Sequence, residues 1–273
     1  MKNSLFLRIA LILGLLFFYI PIILLIIYSF NRSQLVNLWG GFSTNWYHVL
    51  LTDTTVLRAA ALSIEIAISA STLALILGTA TAVALRRYGL FFGRNFFYGM
   101  SITPIVLPDI VMGLSLLLLF MGLNDLTGFP GSYGFGTILI AHTTFCTAYA
   151  TMVIQSRFGQ IDRSIEEAAM DLGAGPCKTF FMITLPQISS ALIAAWLLSF
   201  TLSIDNLVVT SFVSGPDTTT LPLFIYATIR NGVTPEMNAL ATVMILVVSA
   251  ALVLAAVFLP KQGKRSVKFK KNA

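Results

Sequence analysis

The sequence predicts an all-α membrane protein with six transmembrane helices. Two observations lead there. Of 273 residues, 57% are hydrophobic and 10% charged, with a mean hydropathy of +0.87, whereas an ordinary soluble domain carries about 25% charged residues. The apolar residues also gather into six runs, each near the roughly 20 residues a helix needs to cross a bilayer. So large an apolar excess cannot be hidden inside one soluble core. No polar or Pro/Gly/Ser-rich linker divides the chain, so residues 1–273 read as a single transmembrane domain.

The runs fall at about 9–30, 60–85, 96–122, 135–156, 187–212 and 239–259. The first is longer than the apolar region of a signal peptide, about 7–15 residues, and no A-x-A-like site follows it, so an uncleaved anchor is expected. The third contains Pro104 and Pro108, which free backbone carbonyls and kink a helix. Asn124-Asp125 and the glycine-rich stretch from Gly128 to Gly134 turn the chain into the fourth run. The fifth contains Asp205 and Asn206. Thr234-Pro235-Glu236 starts the sixth, as N-cap, proline at the first helical position and acid in the first turn. Residues 31–59 form a loop whose Trp39, Trp46 and Tyr47 suit the membrane interface, and a short apolar helix ends near Arg230.

A net charge of +6 invites a nucleic-acid partner, but its distribution excludes one. Lys2, Arg8, Arg86, Arg87, Arg94, Arg157, Arg163, Lys178 and the six basic residues from Lys261 to Lys271 all fall on one face of the six-span arrangement. Only Arg32, Arg58 and Arg230 fall on the other. The positive-inside rule then places both termini in the cytoplasm, with the basic tail beside anionic lipid. Cys146 and Cys177 supply neither a disulfide framework nor a zinc site.

Between the fourth and fifth runs lies a cytoplasmic loop with the pattern of a short amphipathic helix. Ser164 is a candidate N-cap, and Glu167 three residues on would complete a capping box. Ile165, Ala168, Ala169 and Leu172 share a face, and Gly173 ends the helix in the left-handed conformation. A helix of this kind can dock as a knob in a groove of a soluble partner.

Glu167-Ala168-Ala169, Gly173 and then Ile183-x-Leu185-Pro186 resemble the EAA loop of ABC importer permeases. The resemblance covers nearly the whole chain. Pro108-Asp109 to Ser115, Ala141-His142 to Tyr149, and Phe200 to Asn206 with Phe212 to Pro216 are similar to the polyamine branch, and within it to the second permease of putrescine importers. It implies a type I importer fold with a coupling helix at about 164–179. Glu166, Glu167, Ala168, Ala169, Asp171, Leu172 and Gly173 would then form the surface that meets the ATPase, Glu167 as a polar contact and Gly173 as the turn that allows close approach. It also implies a heterodimer with a sister permease, two ATPase subunits and a periplasmic substrate-binding protein. ATP and magnesium would be held by the ATPase, leaving this chain without cofactor or catalytic site. No Gly-x-x-x-x-Gly-Lys-Ser/Thr phosphate loop occurs in the sequence. In the family Asp205 is commonly followed by a second acid, where this chain has Asn206.

Charge placement gives a separate reason to expect a cationic solute. An ionisable group near the centre of a span costs about 2.5–3.5 kcal/mol on insertion scales and so tends to mark a pathway or a pair. Glu65, Asp109 and Asp205 lie in spans, and no Lys or Arg lies deep in any. Two carboxylates facing one cavity attract a diamine, with Asn206 beside them and Tyr149 as a cation–π contact. The alternatives are local. Glu65 can pair with Arg58, Asp109 can cap a broken helix, and Asp205 can cap an outer gate. An importer for another small cationic or anionic solute, or an ion-coupled secondary transporter, also fits these residues.

Overall fold

The structure is a computed structural model, and it describes residues 3–35, 38–87, 91–231 and 234–258. Among these the regular structure is helical, apart from an isolated β-bridge between Asn31 and Phe42. Five helical segments are long and apolar enough to cross a membrane: Phe6–Tyr28, Thr54–Arg87, Asp109–Thr127, Phe135–Phe158 and Pro176–Ile204. Helix α1 (Asn3–Tyr28) exposes its apolar side chains from Phe6 to Leu24. The short α2 (Asn45–Thr52) and then the long α3 (Thr54–Arg87) follow it in sequence order.

The centre of the molecule is α3 packed against α6 (Phe135–Phe158) and α9 (Leu185–Ile204). Small residues line these contacts: Ala67, Ala70, Ala74 and Ala82 on α3, Ala150 on α6 and Ala195 on α9 are all fully buried. Lipid supplies little hydrophobic drive for helices to associate, so close backbone approach over small side chains takes its place. Gly78 marks the tightest point. A Cβ there would sit 2.8 Å from the Ala150 Cβ and 3.0 Å from the Thr151 nitrogen. Gly78→Leu is expected to push α3 off α6, destabilising the chain by about 1–3 kcal/mol. Thermal unfolding in detergent, followed by size exclusion, measures it; an unshifted transition would refute the close contact.

Two of the predicted spans are not continuous helices. The third divides into α4 (Arg94–Val106) and α5 (Asp109–Thr127). Proline disfavours helical geometry for the residue before it, and Leu107 and Pro108 are both extended, with ψ of 136° and 142°. Pro104, by contrast, is accommodated within α4. The predicted run 187–212 ends as a helix at Ile204, and α10 (Val208–Val213) begins after the break. Here the Asn206 side-chain carbonyl accepts the Val209 N–H at 3.0 Å, one of the local bonds by which Asn competes with a continuing helix. The two breaks meet because α5 packs on α10, where Gly113 lies flat against the Phe212 ring.

At the end of α3 remote from Arg86 and Arg87, α11 (Leu221–Asn231) is tied to α3 by the Leu221 N–H donating to Ser63 Oγ at 2.7 Å. The segment read as a loop at 31–59 includes α2 and a lattice built on Asn31, whose carbonyl accepts from Trp46 Nε1 at 2.7 Å. Thr234-Pro235-Glu236 starts α12 (Pro235–Phe258) as the sequence predicts, with Glu236 in its first turn. Helix α12 packs against α1 and α2.

Candidate functional site

Two places in the fold carry the candidate residues, one at each end of α9. At the basic end, α6 leads through Gly159 into α7 (Arg163–Asp171). Its cap differs from the expectation. Asp162, not Ser164, is the N-cap, and its carboxylate accepts the Ser164 N–H at 3.0 Å, so no Ser164–Glu167 capping box forms. That bond holds the Asp162 carboxyl below the ordinary carboxylate range. A depressed value means that its support for α7 is present at neutral pH and is lost as pH falls through it. The helix ends as predicted. Gly173 has φ +87°, Ala174 N–H bonds Ala169 O at 3.0 Å, and Gly173 N–H bonds Met170 O at 2.9 Å. This pair of bonds is a Schellman closure, for which glycine is the preferred left-handed residue.

The knob is therefore shorter than 164–179. After the turn at Leu172–Gly175 come α8 (Pro176–Thr179) and a π-helical turn (Phe180–Thr184) that runs directly into α9. Glu167, Ala168, Asp171, Leu172 and Gly173 are exposed, Leu172 at 90%, and Ala169 is half-buried. Ile165, 47% exposed, and Met170, 40%, extend the uncovered apolar face. Glu166 differs from its neighbours. It is half-buried, and one carboxylate oxygen accepts the Thr184 hydroxyl at 2.7 Å. That bond anchors α7 to the root of α9.

At the other end of α9 the packing of α5 on α10 puts Asp109 and Asp205 in the same region of the fold. Asp109 is the first residue of α5, where a helix N-terminus favours a negative charge, and Asp205 is the C-cap of α9. Both are exposed, and their charges lie within Coulombic reach of each other. Asn206 lies next to Asp205, just before α10, with its side-chain carbonyl accepting the Val209 N–H. Tyr149 is half-buried against Phe145, edge-on at 6.3 Å, in the apolar cluster that also takes in Leu107 and Leu202. Glu65 does not join this group. It is exposed on α3 between Ile64 and Ile68, with no hydrogen bond or ion pair among the described residues.

His142 supplies what the sequence did not connect. It is buried, with Nδ1 2.7 Å from Ser203 Oγ and Nε2 2.9 Å from Thr210 Oγ1. The Thr210 hydroxyl donates its only proton to the Asn206 carbonyl at 2.6 Å. It must therefore accept from Nε2–H, which leaves Nδ1 to accept from Ser203. One directed chain thus runs Ser203 to His142 to Thr210 to Asn206, clamping the last turn of α9 and the first turn of α10 to α6. The only sequence signal was two hydroxyl residues flanking Asp205-Asn206 in an apolar run. His142→Leu strands the buried Ser203 hydroxyl and removes the donor to Thr210, and is expected to cost about 1–3 kcal/mol. His142→Gln should recover part of that loss in thermal unfolding; equal stability of the Leu variant and the parent would remove the clamp.

The sequence matches the family described as binding-protein-dependent transport system inner membrane component over residues 70–265. It is 55% identical over 237 residues to the putrescine transport system permease protein PotI of Escherichia coli (strain K12), covering 87% of this chain and 84% of that protein. It is 47% identical over 238 residues to the spermidine/putrescine transport system permease protein PotC of Haemophilus influenzae, covering 87% and 90%. Among solved structures, a chain of a bacterial ABC transporter involved in import of the acidic polysaccharide alginate superposes with a TM-score of 0.71 over 95% of this chain and 98% of its own, at 18% identity. A chain of the MetNI methionine ABC transporter in an inward-facing conformation superposes with a TM-score of 0.62 over 75% and 94%, at 14% identity. The sequence match spans most of the chain and the fold agrees: this protein is a multi-pass inner-membrane protein and belongs to the permease components of binding-protein-dependent ABC transport systems.

Proposed function

We propose that this chain is the second permease subunit of an ATP-driven importer for polyamines, with putrescine as its solute. The observation that carries the substrate is the 55% identity to a putrescine permease, and the neighbouring Asp109 and Asp205 carboxylates add a chemical reason for a dication to pass. The 47% identity to a spermidine/putrescine permease favours a shared polyamine specificity as the second reading.

In this proposal six spans cross the membrane: α1, α3, α4 with α5, α6, α9 with α10, and α12. Both termini face the cytoplasm, as the weight of basic residues at that face supports. A sister permease completes a heterodimer, two ATPase subunits bind ATP and magnesium, and a periplasmic binding protein delivers the solute. The exposed surface of α7, from Glu167 to Gly173, docks on the ATPase. Closure of the ATPase dimer on ATP moves α7 and turns the pathway past Asp109 and Asp205 outward. Hydrolysis returns it inward, so access alternates without any catalytic group in this chain.

The test is uptake of labelled putrescine in cells with and without the chain, with excess unlabelled spermidine as competitor. Uptake that needs the chain and resists spermidine supports the putrescine reading; strong competition selects the shared specificity. Uptake that follows a proton or sodium gradient and survives loss of the ATPase would defeat both.

A further inference from the structure

The basic end of the bundle contains a polar cavity at the base of α7, distinct from the exposed Glu167–Gly173 surface and from Asp109 and Asp205. It has a volume of about 370 Å³ and lies between the ends of α3, α4 and α6, with Arg86, Arg94, Arg163, Tyr98 and Gln155 among its lining. Among the described residues no carboxylate lines it; Glu166 and Glu167 line an adjoining cavity of about 180 Å³, which shares Arg86 and Arg163 with this one.

The guanidinium groups are held in place by the fold. Arg86 stacks over the Phe158 ring at 4.8 Å and donates through Nη2 to the Ile161 carbonyl at 3.3 Å. Arg163 donates to the Arg86 carbonyl at 2.7 Å, and Arg94 Nη2 reaches the Leu85 carbonyl at 3.5 Å. Two further donors, Arg86 Nη1 and Arg94 Nε, are buried and have no partner among the described residues. Buried polar atoms of native proteins are nearly always bonded, and buried open donors on two half-buried cations call for an anion. The planar donor fork of arginine matches the oxygens of a phosphate.

The surroundings say where that phosphate comes from. Arg94 is the first residue of α4, and the adjacent side chains turn outward: Phe92 is fully exposed, Phe96 73%, Tyr98 44% and Met100 61% exposed. Exposed aromatic side chains beside arginine at the end of a membrane helix mark the headgroup level. Basic pockets between membrane helices on the cytoplasmic side receive acidic headgroups. We propose that the Arg86–Arg94–Arg163 cavity binds the phosphate of an anionic phospholipid, whose acyl chains lie along the exposed face of α4. Because Arg163 is the first residue of α7, the headgroup braces the base of that helix against α3 and α4.

The test uses the full chain in nanodiscs that mix phosphatidylglycerol with phosphatidylcholine, followed by native mass spectrometry of the lipid that stays bound. Wild-type protein is expected to retain phosphatidylglycerol over phosphatidylcholine by about tenfold. Arg86→Gln and Arg94→Gln should each abolish most of that preference. Arg87→Gln, at an exposed position outside this cavity, should leave it intact. Arg94→Lys keeps the charge without the fork and should fall between. The wild-type preference is measured without any variant, so a misfolded variant does not block the result. No preference in the wild type, or equal retention by Arg87→Gln and the two cavity variants, overturns the proposal. Release of the bound phosphatidylglycerol by inorganic phosphate at millimolar concentration would reassign the site to a free anion and overturn it as well.

Discussion

Asp205→Asn is expected to lower putrescine uptake by about tenfold to a hundredfold while leaving the chain as stable as before. A hydrogen bond to a charged group contributes roughly 1.5–3 kcal/mol, and about 1.4 kcal/mol corresponds to a factor of ten. The position separates transport from folding with unusual clarity. Asp205 sits at the C-terminal end of α9, where the helix dipole disfavours a negative charge. A purely structural Asp205 would be replaced by neutral Asn with no loss, or with a small gain, in stability. Putrescine uptake measured beside thermal unfolding therefore distinguishes the roles. Unchanged uptake removes this residue from the pathway. Asp109→Asn should lower uptake too, but here the helix N-terminus loses a favourable charge, so some stability should be lost with it.

Gly173→Asp is expected to reduce uptake more than about tenfold with the chain still inserted. The left-handed backbone costs a residue with a side chain roughly 1–2 kcal/mol, and Gly173 holds φ +87°. Its surroundings are open, with no atom within 4 Å of an added Cβ, so the fold itself tolerates the change. The larger effect comes from outside the chain. A carboxylate would stand beside Asp171 and the 90% exposed Leu172, on the surface proposed to meet the ATPase. Gly173→Ala carries only the backbone strain and should show a mild defect. Co-purification of the ATPase with the Asp variant, together with normal uptake, would reject the docking role of α7.

Features that rest on near neighbours in sequence were legible. The α6 bounds, the Thr234-Pro235-Glu236 start of α12 and the left-handed Gly173 each depend on a few adjacent residues, and the sequence predicts them well. Pro104 and Pro108 look alike in the sequence, yet one is accommodated in α4 and the other ends it. The difference lies in what the next residues can bond to, and that is set by packing. The same holds for Asp205-Asn206, where an apolar run conceals a helix end. His142 reaches partners 61 and 68 residues away, and no periodicity shows such a link. Glu166 was grouped with its exposed neighbours because the pattern of α7 cannot reveal Thr184 waiting beneath it.

From Pro176 to Ile204 the backbone is one continuous helical rod of 29 residues, about 43 Å long at 1.5 Å per residue. Its near end is pinned to α7 through Glu166 and Thr184, and its far end stops at Asp205. Helical throughout, with the π-helical turn at Phe180–Thr184 near its α7 end, such a beam transmits load in both directions. Under the proposed function, thermodynamic linkage makes the exchange symmetric: whatever factor docking at α7 applies to cation affinity at Asp109 and Asp205, a cation bound there must apply to docking. On this account an arriving solute reports its presence to the ATPase through the same beam that later moves it.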